Sequence, residues 1–88
     1  MPRISEFFGI VVYIYYQDQG VHHAPHFHAQ YAEDEVVVSI PDAEVLAGSP
    51  PAKKEKLVQA WAVLRERELQ QAWAAAVEGE PPRIAPLT

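Results

Sequence analysis

The sequence predicts an α+β domain, in which a three- or four-stranded antiparallel meander is followed by one bent helix or two helices packed on one face. Three observations carry this. Apolar residues of the first half fall in short β-branched and aromatic runs separated by turn residues. Those of the second half recur at helical spacing. The chain has 88 residues, enough for one thin core and too few for two. A single domain over residues 1–88 is expected, with a sheet half at 1–48, a helical half at 49–80 and a C-terminal tail at 81–88.

Phe7–Tyr16 is rich in valine, isoleucine and tyrosine and reads as a buried strand. A polar loop with Gly20 and Pro25 closes it. His26–Tyr31 alternates as a second strand, and Ala32–Asp34 makes a short hairpin into the valine-rich strand Glu35–Ile40. Pro41–Asp42 suits a turn, because proline presets the φ of its second position, and Ala43–Ala47 adds a short fourth strand.

The period then changes. Ser49 can cap a helix whose first position is Pro50, where a missing N–H costs nothing. Leu57, Trp61 and Leu64 form one apolar stripe, and Leu69, Ala72, Trp73, Ala76 and Val77 form another. The second stripe is rotated from the first by roughly a quarter turn at about 100° per residue, so the axis must bend or break near Arg65–Glu68. Gly79, with Pro81 and Pro82 behind it, stops the helix. Ile84 and Leu87 give the tail two residues with which to dock on the core.

Composition narrows the function classes. Without cysteine the chain has no disulfide, zinc–thiolate site or thiol nucleophile. No N-terminal run resembles a signal peptide and no stretch of roughly 18 apolar residues could span a membrane, so a cytoplasmic address is expected. Net charge is −5. Residues 1–49 carry Arg3 alone against Glu6, Asp18, Glu33, Asp34, Glu35, Asp42 and Glu44. That distribution argues against broad phosphate-backbone binding, although a short specific RNA contact remains open. Lys53-Lys54-Glu55-Lys56 is the one basic concentration and reads as a solvated first helical turn, with a phosphate contact as the minor alternative.

The segment Val21–Tyr31 holds all four histidines, His22, His23, His26 and His28. Alternation along a strand puts His26, His28 and Gln30 on one face and Phe27, Ala29 and Tyr31 on the other. Phe27 and Tyr31 suit the face that helices cover, which leaves the two imidazoles together on the opposite one. Three uses compete. The histidines can bond locally and fix the loop. Alternatively, His22, His26 and His28 can converge as a three-nitrogen set on a divalent metal such as Zn²⁺, with Asp18, Glu33 or Glu35 behind them. Or the same three can be catalytic without metal, as an acid–base set near neutral pH able to cleave RNA through its own 2′-hydroxyl. A catalytic secondary amine at Pro2, exposed by loss of Met1, is a remote further candidate beside its simpler role as the start of an arm. Phe7, Phe8, Tyr13, Tyr15 and Tyr16 read as core and sheet packing in preference to a base-stacking platform, and Trp61 and Trp73 as core anchors.

The order of several short motifs resembles a bacterial family catalogued as domain of unknown function 4160. They are Met1-Pro2 with Ile4, Phe8-Gly9-Ile10, Pro25-His26-Phe27-His28, Val45-Leu46 with Gly48, Trp61-Ala62, Trp73, and the closing Pro82, Ile84 and Pro86-Leu87. The likeness covers nearly the whole chain. Members often show Asp-His-x-Pro-Pro-His-Phe-His after the first strand. In this chain the loop is a few residues longer, Ala24 stands at the first proline, His22 matches the upstream histidine and His23 is additional. The resemblance implies a toxin-like small protein encoded beside a partner of the domain-of-unknown-function 2442 type. The two together suggest a toxin–antitoxin pair or another two-protein module.

Overall fold

The computed structural model describes residues 3–14, 24–79 and 81–87. Five strands, β1 (Arg3–Phe7), β2 (Ile10–Tyr13), β3 (His26–Tyr31), β4 (Asp34–Ser39) and β5 (Val45–Ala47), precede two helices, α1 (Ala52–Leu64) and α2 (Glu66–Glu78). The strands form one antiparallel meander in the order β1-β2-β3-β4-β5. The α+β class therefore stands, with one strand more than the sequence suggests.

The extra strand, β1, lies before the Phe7–Tyr16 run and shares only Phe7 with it. Phe8 and Gly9 adopt left-handed φ values of 49° and 78° and fold Phe7 back onto Ile10 as a two-residue hairpin. Twist-compatible hairpin turns need positive φ at both central residues, usually Asn-Gly, and a phenylalanine in the first place gives little warning of it. The turn leaves the Phe8 ring 54% exposed, in place of the packing role expected of it. Lys54 holds the turn from α1, donating from Nζ to the Phe8 carbonyl at 2.9 Å and lying 4.6 Å over the Tyr31 ring. One member of the basic run thus braces the sheet.

Register decides which residues meet. Phe27 lies opposite Val38, Ala29 opposite Val36 and Val12, and Phe7 opposite Ile10, so one face of the sheet is uniformly apolar. Val58, Trp61 and Ala62 of α1 and Leu69, Ala72 and Ala76 of α2 bury against it. Both helices thus pack on one face. The axis breaks at Arg65, whose φ of −107° ends α1 and begins α2, inside the interval where the two stripes diverge. Each short helix can then turn its own stripe toward the same sheet.

Two helical details differ from expectation. The N-cap of α1 is Pro51, whose carbonyl accepts from the Lys54 and Glu55 N–H groups at 2.9 and 3.0 Å, and no side chain caps it. Ser49 and Pro50 lie before the helix because a residue preceding proline is pushed out of the α region, and Pro50 precedes Pro51. The buried face centres on Val58, Trp61 and Ala62, and Leu64 at the helix end stays 64% exposed. Gly79 ends α2 at φ 139°.

The tail docks as foreseen. Ile84 is buried and donates its N–H to the Ile4 carbonyl at 2.7 Å, and Leu87 packs against the core. Trp61 Nε1 donates to the Ala85 carbonyl at 2.8 Å, and Arg65 reaches the Ala85 and Pro86 carbonyls at 3.2 and 3.1 Å.

Gly48 after β5 sits at φ 93°, and a Cβ there would lie 2.0 Å from the Glu35 carbonyl oxygen. Neither strain nor space allows a side chain. Gly48→Ala is expected to destabilise the fold by at least about 2 kcal/mol, and equilibrium urea unfolding measures it. An effect below about 0.5 kcal/mol would contradict this geometry.

Candidate functional site

β3 gives its two faces different tasks. Phe27 and Ala29 enter the core, whereas His26 and His28 share the other face. On that face His26 lies opposite Ser39, and His28 lies between Val37 on β4 and Tyr13 on β2. The imidazole centroids are 5.2 Å apart, with the rings tilted 67° to one another. The juxtaposition that alternation predicts is therefore present.

Their burial is not what an open histidine face implies. His26 has no exposed surface and His28 is 7% exposed. Trp73 of α2 stacks against His26 at 5.3 Å between centroids, so this half-buried indole joins the histidine pair as well as the core. A buried polar ring needs a hydrogen bond. His26 has one, from Nδ1 to the Ala24 carbonyl at 2.7 Å. A carbonyl only accepts, so Nδ1 carries the hydrogen and Nε2 of the neutral ring carries the lone pair.

His28 turns its Nδ1 toward Glu35 Oε2 at 3.6 Å. Glu35 is diagonal to His28 across the β3–β4 pair, within reach of a long side chain. The first contact is a hydrogen bond and the second is longer than one, so His26 is the ring whose Nδ1 is fixed in the way that leaves Nε2 to bind a metal or move a proton.

The sequence expectations are met unevenly. His26 and His28 come together, and Glu35 stands behind His28 as one of the three proposed carboxylates. Glu33 lies in the exposed β3–β4 turn. Among the described residues no group of three or more histidine or acidic side chains could hold a metal ion. His22, His23, Asp18, Pro2, Tyr15 and Tyr16 lie outside the described residues, so the three-histidine arrangement is defined here by two of its members.

A groove of about 160 Å³ opens beside the pair, lined by Pro25, Ile40, Pro41, Gln70 and Trp73. Pro25 precedes His26, and Ile40 donates its N–H to the Pro25 carbonyl at 2.9 Å, drawing the β4–β5 connection against the start of β3. Trp73 belongs to both features, stacked on His26 and forming one groove wall. Sequence reasoning assigned Trp73 to the core alone and none of the groove residues to a site. The only available signal was the Gln70, Trp73, Val77 spacing, which continues one helical face past the buried stripe.

The architecture is that of a small α+β domain, an antiparallel meander with two helices on its apolar face and a buried histidine pair that Trp73 of α2 meets at the start of β3. The family model described as domain of unknown function (DUF4160) matches residues 9–74, more than half of the chain, and the chain belongs to that family. The match contains both histidines and all five groove residues. No curated protein and no solved structure matches the chain. No helix among the described residues is long and apolar enough to cross a membrane.

The buried hydrogen bond fixes one tautomer of His26. Imidazole ¹⁵N NMR on labelled protein is expected to show neutral His26 protonated at Nδ1. A neutral ring protonated at Nε2 would break the assignment, because Nδ1 could not then donate to Ala24.

Proposed function

We propose that the chain is one component of a two-protein, toxin–antitoxin-like module, and that its working surface is the end of the sheet bearing the histidines. One observation carries this reading: the groove formed by Pro25, Ile40, Pro41, Gln70 and Trp73 shares its indole wall with the buried His26–His28 pair. An open apolar concavity beside a buried polar pair has the composition of a recognition site. The resemblance in the sequence suggests the partner, a small protein of the domain-of-unknown-function 2442 type encoded by the neighbouring gene, in a bacterial cytoplasm.

A second reading has its own support. An imidazole pair in which His26 Nδ1 is bonded to a carbonyl and His28 Nδ1 lies 3.6 Å from Glu35 suits a histidine-dependent nuclease or a small metal-dependent hydrolase. His26 and His28 would act through Nε2, with His22 as the third member named from sequence. This reading stands second because His26 has no exposed surface at which a substrate could meet it. A third reading, a plain interaction module working through an apolar surface, has no comparable focus. The exposed apolar side chains Phe8, Leu46, Val63, Leu64 and Val77 are scattered over four parts of the fold.

Co-expression of the chain with the neighbouring gene product tests the first reading. A co-purifying complex is expected, with a growth defect from one protein alone that the other relieves. No complex, and no growth effect of either protein, would remove it. A His26→Ala, His28→Ala protein that stays folded and keeps its full effect on growth would remove the hydrolytic reading.

A further inference from the structure

The groove beside His26 has a definite size and chemistry. At about 160 Å³ it is smaller than the roughly 300–1,000 Å³ of pockets that enclose a small-molecule ligand, and suits a single side chain. Its walls are apolar: two prolines without N–H groups, one isoleucine and one indole. Gln70 is the one residue of the lining whose side chain can both donate to and accept from a peptide backbone. One helical turn beyond Trp73 on the same face of α2, Val77 is 47% exposed and extends the apolar strip.

The charge around the groove has a sign. Asp42 and Glu44, both exposed, follow Pro41 on the β4–β5 connection. Glu66 and Arg67, also exposed, precede Gln70 by four and three residues on its side of α2. The exposed charged residues that neighbour the lining in sequence are thus three acids and one base. A second copy of this chain, itself at −5, would be opposed by the same field, whereas a cationic segment would be drawn to it.

We propose that this groove seats one large apolar side chain, of leucine or methionine size, from a lysine- or arginine-flanked segment of a partner protein. The proposal rests on the two-protein reading for the origin of that segment, but the binding chemistry belongs to the groove and can be measured without the partner. The apolar side chain fills the slot against Trp73, Gln70 bonds the segment's backbone, and Asp42 and Glu44 face its cations.

The test uses the full chain and blocked octapeptides with one central leucine, alanine or aspartate between lysines and arginines, plus a leucine peptide flanked by glutamates. Binding is followed by ¹⁵N–¹H NMR at the Trp73 indole and the Gln70 side-chain amide. The cationic leucine peptide is expected to bind at least about tenfold more tightly than the alanine peptide, the scale set by burying an isobutyl group. It should also bind more tightly than the glutamate-flanked peptide and weaken as salt is raised. Gln70→Arg, at an exposed position, should abolish binding and leave the thermal midpoint unchanged. Equal binding of leucine and alanine peptides, shifts confined to another surface, or no binding at all would overturn the proposal. So would a dimer in sedimentation that Gln70→Arg dissociates, because the groove would then belong to a second copy. Peptide binding without a co-purifying neighbour would uphold the groove and reject only the two-protein reading; a co-purifying complex unaffected by Gln70→Arg would do the reverse.

Discussion

The position of every other element follows from where Trp61 sits. Its ring has no exposed surface, lies 5.3 Å from Phe7 and 5.5 Å from Phe27 between centroids, and donates from Nε1 to the Ala85 carbonyl. One side chain therefore ties α1 to an outer strand, to the central strand and to the tail. A short chain buries too small a fraction of its surface to spread this task over many residues. With α1 fixed across the sheet, the break at Arg65 determines where α2 returns, and that return brings Trp73 onto His26. The two tryptophans thus have complementary parts: Trp61 places the helices, and Trp73 uses the placement at the site.

The same dependence explains why the histidines are tolerated in an interior. A buried imidazole without a partner would cost free energy comparable to a lost hydrogen bond or more. His26 meets that condition with a local carbonyl two residues back, and His28 has Glu35 nearby. The β3 register, the β3–β4 diagonal and the close approach at Gly48 together place the imidazole pair, with Trp73 against His26. Gly48 matters here through Glu35: the backbone it presses against carries the carboxylate that faces His28.

Much of this was legible in the sequence, and the rest was hidden for identifiable reasons. Alternation along His26–Tyr31 placed Phe27 in the core and paired the two histidines, because a strand leaves no other geometry. The mismatch between the helical stripes located the break, and Gly79 with the prolines marked the end. The Phe8–Gly9 turn escaped because its first residue is an unusual occupant of a left-handed position, held there by Lys54 from a distant helix. The Ser49 cap failed because Pro51 constrains Pro50, a local rule that outweighed the capping pattern. The burial of His26 was not legible at all. Trp73 is one of the residues that meet this ring, and an apolar residue on a helical stripe does not reveal which of two neighbouring surfaces it will cover. For the same reason the groove, assembled from three separate segments, left almost no trace in the sequence.

The proposed function makes the histidine pair and the adjoining groove one recognition surface. Hydrogen–deuterium exchange of the chain, alone and in complex with the neighbouring gene product, tests it most directly. Protection on complex formation is expected to concentrate in residues 24–28, 40–44 and 70–77, the segments that carry the groove lining and the histidine pair. Protection confined to the Phe8–Gly9 turn and the start of α1, or to the free edge of β5, with the Trp73 segments unchanged, would contradict it.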